Sequence, residues 1–327
     1  MYERFFGFRE PAFELISNPK FLFFSAQHRE ALSNLEYGLS AAKPVTLLIG
    51  DAGTGKSTLL RAALDSDMCR NVSCVFIDNP TLTRAEFFET LASRFELPGD
   101  PEKSKATLLS RLETMIRSRQ SRGAITGLVV DEAQALPDEI LEEIRLLANM
   151  ETPTGKLLPV VLAGQPELAV RLNEPGLRQL KQRIALRCEL KPLDLADTAA
   201  YIASRIRTAG GDPENIFTRE AVTLIYQYSR GLPRTISVMC DNALMSGFAL
   251  HQRSVDGEIV REVCRDFDLG AAVDATPSRL PHLALTPPDD VRPETRWSGP
   301  GVAGDTASAR QHRDAIELRG RSVLGLR

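Results

Sequence analysis

Residues 45–58 read VTLLIGDAGTGKST, and the way this stretch divides decides the fold. Val45, Thr46, Leu47, Leu48 and Ile49 form a run of β-branched and aliphatic residues, the pattern of a buried strand. Helical sequence resumes over 57–64. Between the two lies Gly50-Asp51-Ala52-Gly53-Thr54-Gly55-Lys56-Ser57, followed by Thr58, which fits G-x-x-x-x-G-K-[ST] at each fixed position. Glycines let the backbone turn its N–H groups inward, so such a loop forms a concave nest for anionic oxygens. The helix behind it points the positive end of its dipole at the same place. In that setting Lys56 reaches the β- and γ-phosphates of ATP and the Ser57 hydroxyl is a natural Mg2+ ligand. The alternative is an ordinary glycine-rich turn. A strand before, a helix after and Lys-Ser in register all speak for the phosphate-binding reading.

Upstream, residues 1–40 are rich in phenylalanine: Phe5, Phe6, Phe8, Phe13, Phe21, Phe23 and Phe24. Pro11 and Pro19 interrupt them, so the stretch is expected to begin extended and pinned by aromatic anchors, most of whose rings pack against the core; the alternative is that some of the segment walls the adenine. Helical spacing over 27–39 puts Ala31, Leu32, Leu35 and Leu39 on one face, with Ser25 as N-cap. Downstream, VSCVFI (72–77) reads as a second strand and 84–95 and 102–119 as helices, separated by Pro98-Gly99-Asp100-Pro101. Leu128, Val129 and Val130 make a third strand that delivers Asp131 and Glu132 at its carboxyl end, where open α/β sheets place ligands. A helix opened by Pro137, a fourth strand over 159–163 and a fifth over 185–190 complete the set. From Leu193 onward the pattern is helical only: 197–209, 218–229, 234–250 and 256–267.

Strands alternating with helices imply a largely parallel sheet covered on both faces. The expected architecture is a P-loop α/β/α three-layer domain with a parallel five-stranded sheet, followed by a small all-α lid. The expected boundaries are 1–40 for the aromatic-rich segment and helix, 41–191 for the α/β domain, 192–268 for the lid and 269–327 for a disordered tail. Residues 310–327 are net basic and read as a solvated end, with a short docking helix as the alternative.

The chain has 327 residues, 43% hydrophobic and 25% charged, with a net charge of −3, ordinary values for a globular protein with no global basic signature for nucleic acid. No apolar run approaches the roughly 20 residues that span a bilayer, and MYERFFGFRE has neither the basic region nor the apolar core of a signal peptide. Five dispersed cysteines form no metal-type pairs and suit a reducing compartment. The expectation is a cytoplasmic protein, or one peripheral at the inner membrane through a partner.

Asp131, after its apolar strand, suits the second magnesium-anchoring position, and Glu132 the general base that polarises the attacking water. Gln165 closes the fourth strand, which should lie beside the first; its amide can hold the water or the γ-phosphate, or be a turn residue before Pro166. Arg183, before the fifth strand, and Arg234, in GLPR, can contact phosphate from a lid or a neighbouring subunit.

This layout resembles the AAA-plus (AAA+) ATPases, and within them the general secretion pathway protein A (ExeA/GspA-like) group. The resemblance rests on MYERFFGF…PAF, FLFFSAQHREAL, GDAGTGKST, VVDEAQALP, VVLAGQPEL, QLKQRI and GLPRTIS, spanning about 1–268. It implies ATP binding by Gly50 to Thr58, magnesium and hydrolysis roles for Asp131 and Glu132, and a sensor near Gln165. It also implies a trans-acting arginine near Arg183 and a second sensor at Arg234. Gln165 departs from the Asn, Ser or Thr usual at the first sensor. Proteins of the secretion group continue into a transmembrane helix and a peptidoglycan-binding domain, and the similarity here is to the ATPase module alone. The resulting expectation is an Mg2+-dependent ATP hydrolase acting as a nucleotide-dependent homo-oligomer, ring or dimer. It would drive or gate assembly of a protein partner complex in secretion or exopolysaccharide export. The alternatives are a DNA-binding accessory ATPase of the transposition-helper type, which the acidic composition does not favour, and a nucleotide-gated scaffold.

Overall fold

The computed structural model describes residues 1–267, apart from 16–17, 79–80, 98–103 and 154. The expected breaker at 98–101 and the tail from 269 lie outside the described residues. In chain order the elements are α1 (Glu3–Phe6), α2 (Ala26–Ser40), β1 (Val45–Gly50), α3 (Lys56–Leu64), β2 (Val72–Ile77), α4 (Arg84–Arg94) and α5 (Lys105–Gln120). Then follow β3 (Ile125–Val130), α6 (Asp138–Leu147), the hairpin β4 (Glu151–Thr152) and β5 (Gly155–Lys156), β6 (Val160–Gly164), α7 (Pro166–Arg171), α8 (Arg178–Lys181) and β7 (Ile184–Leu190). The helices α9 (Leu195–Thr208), α10 (Arg219–Ser229), α11 (Pro233–Ala249) and α12 (Gly257–Asp266) close the series.

The main sheet has five strands in the order β2-β3-β6-β1-β7, and its pairings are parallel. The fourth predicted strand, β6, does lie beside β1, pairing Val45 with Val160 through Ile49 with Gly164. Because successive strand residues point to opposite faces, the interior strands feed two cores at once. Val45, Leu47 and Ile49 of β1 join Leu128 and Val130 of β3 and Val160 and Leu162 of β6 against α4, α5 and α6. Leu48, Val129, Val161 and Ala163 face the other way, onto Ala31, Leu35 and Leu39 of α2 and Leu59 and Leu60 of α3. This is the three-layer α/β/α arrangement expected from the sequence. Side-chain caps set the helix starts: Ser25, Thr83, Ser104, Asp194, Thr218 and Asp256 each accept from an amide of the first turn, at roughly 1 kcal/mol apiece.

A third core belongs to α9–α12, and it takes up the amino terminus. Tyr2, Phe6, Phe8 and Phe13 are buried there among Ile202, Ile236 and Leu244. Arg9 N–H donates to Ala209 O at 2.7 Å, and the Tyr2 hydroxyl is bonded to Asp241. The amino-terminal stretch is not simply extended, as its prolines suggested: it opens with α1, closed by Gly7 in the left-handed region, and has a 3-10 turn at Pro19–Phe21. Its rings are therefore part of the helical bundle's core. The sheet layers and the bundle together form one compact unit.

Candidate functional site

Every element that matters for the site meets at the carboxyl edge of the sheet. β1 ends at Gly50 and the chain turns through 51–55 into α3. Gly53 (φ +84°) and Gly55 (φ +99°) hold backbone conformations that side chains rarely adopt, which explains why the turn requires glycine there. Lys56 is buried at the first position of α3, and its ammonium donates to Gly50 O at 2.8 Å and Asp51 O at 3.0 Å. Burial pulls the Lys56 ammonium below its ordinary range, against the opposing attraction of Glu132 and Asp131.

β3 pairs with β2 in register as far as Ile77 with Val130, so it ends level with that strand and leaves Asp131 and Glu132 on the same edge as Lys56. The Ser57 hydroxyl donates to Asp131 Oδ2 at 2.6 Å, and Asp131 Oδ1 accepts from the Glu132 amide at 2.9 Å. Glu132 sits at φ +51°, a left-handed position costly for a non-glycine residue, and this turns its carboxylate back toward the end of β6. There Glu132 Oε2 accepts from Gln134 Nε2 at 2.6 Å and from Gln165 Nε2 at 3.2 Å. Gln134 Oε1 in turn accepts the Gln165 amide at 3.0 Å, so the two glutamines clamp the carboxylate. Partial burial would raise the Glu132 carboxyl, but these two donations and the Lys56 charge outweigh it and hold it below the usual range. Gln165 thus gives its side-chain amide to Glu132, at the end of the strand beside β1 where the sequence placed it.

The bundle closes the site from the other side. α11 starts at Pro233, which has no N–H to leave unpaired, and the Arg234 N–H that would be orphaned at a helix start donates to Gly53 O at 3.2 Å. A Cβ on Gly53 would come within 2.6 Å of Arg234 Cβ, so loop and bundle touch closely. The exposed Arg234 side chain borders a cavity whose remaining wall includes Phe21, Leu22 and Phe23 of the amino-terminal segment and Tyr201 and Arg205 of α9. The amino-terminal segment therefore walls the space beside the glycine loop. Arg205 ties the wall together: Nε donates to Ala12 O (2.7 Å), Nη2 to Glu14 O (3.0 Å) and Nη1 to the Tyr201 hydroxyl (2.7 Å).

Arg183 stands apart. It lies in the turn before β7, whose first residue pairs with Val45, and is therefore on the amino edge of the sheet, opposite Lys56. Its charge acts on Glu151 of the hairpin.

Chemically, the edge offers a backbone nest with a lysine, a hydroxyl–carboxylate pair and an oriented second carboxylate. Ser57 Oγ and Asp131 Oδ2 are hard oxygen donors suited to a magnesium ion that keeps several waters. Among the described residues no group of three or more His, Cys, Asp or Glu gathers as a separate metal cage.

Residues 40–172 match the AAA domain family AAA_22. Over 249 residues the chain is 41% identical to general secretion pathway protein A of Aeromonas hydrophila, a match that covers 76% of this chain. It belongs to the AAA-plus ATPases. The same match covers 45% of the Aeromonas protein, so this AAA-plus chain aligns with less than half of that relative. Two solved structures share the fold. The ORC2 protein of Aeropyrum pernix, in ADPNP–ADP complexes, superposes with a TM-score of 0.59 at 15% identity, covering 79% of this chain and 72% of its own. Cdc6p of Pyrobaculum aerophilum superposes with a TM-score of 0.60 at 18% identity, covering 76% and 70%. At such identities the likeness is one of fold. Among the described residues no helix is long and apolar enough to cross a membrane.

Three residues of the site escaped the sequence reading: His28, Gln134 and Arg205. Gln134 stands two places after Glu132 in DEAQ, where its polarity in an otherwise apolar stretch was the available signal. Arg205 lies four residues from Tyr201, on one face of a helix, and nothing local announces that the face is buried.

Proposed function

We propose that this AAA-plus module binds ATP at residues 50–58 and hydrolyses it, using the cycle to drive or gate assembly of a protein complex. The observation carrying the reading is the convergence of Lys56, the Ser57–Asp131 pair and the clamped Glu132 on one edge of the sheet. The triphosphate would lie on the loop amides and the amino end of α3, where backbone N–H groups and the helix dipole favour anions. Lys56 would exchange the carbonyls of Gly50 and Asp51 for β- and γ-phosphate oxygens. Ser57 and Asp131 would hold Mg2+, which supplies charge neutralisation across those oxygens when bound. Glu132 would take a proton from the water that attacks the γ-phosphorus as the bond to the β–γ bridging oxygen breaks, leaving ADP and phosphate. Gln134 keeps Glu132 oriented, and Gln165 would exchange Glu132 for the γ-phosphate or the water.

The same reading divides the unit near Lys191–Pro192 into an ATPase domain (41–191) and a lid (192–268), with the nucleotide between them. Arg183 faces away from its own Lys56, so it would serve the site of a neighbouring copy in a ring or dimer, while Arg234 would sense phosphate from the lid. Similarity to a general secretion pathway protein favours an envelope secretion or polysaccharide-export partner, with attachment at the inner membrane through that partner. The test is a pair of variants followed by nucleotide-binding calorimetry and phosphate release. Lys56→Ala abolishes binding, whereas Glu132→Gln keeps binding and loses turnover by roughly 10² to 10⁴-fold. Undiminished hydrolysis in Glu132→Gln removes it as the base.

A further inference from the structure

We propose that His28 is a positioning residue for the phosphate loop, holding the Thr54–Gly55 peptide so that the Gly55 N–H faces the nest. The proposal deepens the nucleotide-binding reading and rests on it. His28 lies in the first turn of α2, behind the N-cap Ser25, and borders the cavity. Its Nε2 is 3.2 Å from Thr54 O, and its Nδ1 is 2.7 Å from Ser25 Oγ. A carbonyl only accepts, so Nε2 carries the proton and Nδ1 accepts from the Ser25 hydroxyl. Ser25 Oγ also accepts the His28 backbone N–H, at 3.4 Å, in its capping role. A one-way chain of hydrogen bonds therefore runs from the helix cap through one tautomer of the ring to the loop.

The ring is placed to enforce geometry. His28, Ser25 and Thr54 are 4%, 3% and 1% exposed, so water does not compete for these bonds. Burial lowers the imidazole's affinity for a second proton, against weaker opposing effects of the Thr54 carbonyl and Asp197. A peptide unit is planar and trans, so its carbonyl and N–H point in opposite directions. Fixing Thr54 O on His28 thereby aims the Gly55 N–H away from α2. Other loop carbonyls have partners of their own: Gly50 and Asp51 accept from Lys56, and Gly53 from the Arg234 amide. His28 supplies the anchor at the peptide that enters α3.

The test compares His28→Gln with His28→Asn. A glutamine amide reaches about as far as Nε2 and keeps a donor for Thr54 O, while asparagine reaches only to the Nδ1 position. Calorimetry with ATP and with inorganic triphosphate is expected to show His28→Asn weakened about tenfold for both ligands, the scale of one hydrogen bond. His28→Gln recovers most of that loss. Equal losses in the two variants, or no loss in either, overturn the proposal in favour of simple packing. Wild-type protein that binds neither ligand overturns the nucleotide reading beneath it. Nitrogen NMR of the wild-type ring gives a readout independent of whether the variants fold: the Nε2–H tautomer is expected, and an Nδ1–H tautomer overturns the assignment.

Discussion

Replacing Arg205 by methionine keeps an unbranched stem of similar length and removes the guanidinium. The structure lets the cost be worked out. Ala12 O and Glu14 O lose their donor, and the Tyr201 and Ser237 hydroxyls lose a shared partner, at 2.7 and 3.4 Å from Nη1. The cation also lies over the rings of Phe13, Phe21 and Tyr201, 5.1 to 5.8 Å from their centroids. Two carbonyls left without a buried donor cost about 1–3 kcal/mol each, and the lost cation–π contacts add about 1 kcal/mol. Against this, a guanidinium at 9% exposure no longer has to be desolvated, which returns part of that loss. The net destabilisation is about 2–4 kcal/mol, or roughly 3–6 °C in melting temperature at about 2.1 cal/mol/K of unfolding entropy per residue. Because Arg205 fastens residues 12–14 to α9, the cavity wall loosens with it. Affinity for ATP is therefore expected to fall while affinity for inorganic triphosphate, which needs only the loop, holds. Differential scanning calorimetry without ligand, followed by titration of both, reads the two effects. A melting temperature within about 1 °C of wild type would refute the reasoning and leave the amino terminus fastened by its aromatic packing and by the hydrogen bonds of Tyr2 and Arg9.

Three further outcomes are expected. Gln134→Ala frees Glu132 from its shorter hydrogen bond, so single-turnover hydrolysis slows about tenfold with ATP affinity unchanged; a shift in affinity alone would assign Gln134 to binding. The pH dependence follows from the same clamp. A carboxyl held below its ordinary range contributes stability above the unfolded value of about 4.3, and loses it as pH falls through its own lower value. In kcat/KM, which reports the free enzyme, Glu132 accordingly gives no acid limb above about pH 4.3, and Gln134→Ala moves that limb upward; unchanged kcat/KM–pH profiles in the two proteins would refute this. Gly53→Ala, at φ +84° and against Arg234 Cβ, is expected to weaken nucleotide binding by tenfold or more, and unchanged affinity would mean that the loop tolerates the shift.

How much was legible in the sequence depended on whether a signal was local. β1, β3 and β6 are covered on both faces, so they read as unbroken apolar runs and were placed within a residue or two at their carboxyl ends. Helices with a Ser, Thr or Asp cap, such as α2, α10 and α12, were bounded nearly as well. The hairpin of β4 and β5 went unseen because two polar residues per strand carry no alternation, and α1 because four residues show no helical period. The Phe-rich start announced burial but not its partner, since Tyr2 finds Asp241 only through the tertiary fold. In the site, Lys56 and Ser57 sit in a motif whose spacing is itself the geometry, and Asp131 follows an apolar strand that fixes its edge of the sheet. The contacts of Gln134, His28 and Arg205 arise where separate elements converge, and no spacing encodes that.

The junction between bundle and loop is made main chain to main chain, the Arg234 amide on the Gly53 carbonyl. It is therefore blind to the identity of the side chain at 234. Removing the guanidinium by Arg234→Ala separates charge from docking, because the seam survives while the cation is gone. Under the proposed division at Lys191–Pro192, a tilt of the bundle would pull on the Gly53 peptide of the glycine loop or snap away from it. Motion of one half is thus written directly into the shape of the other.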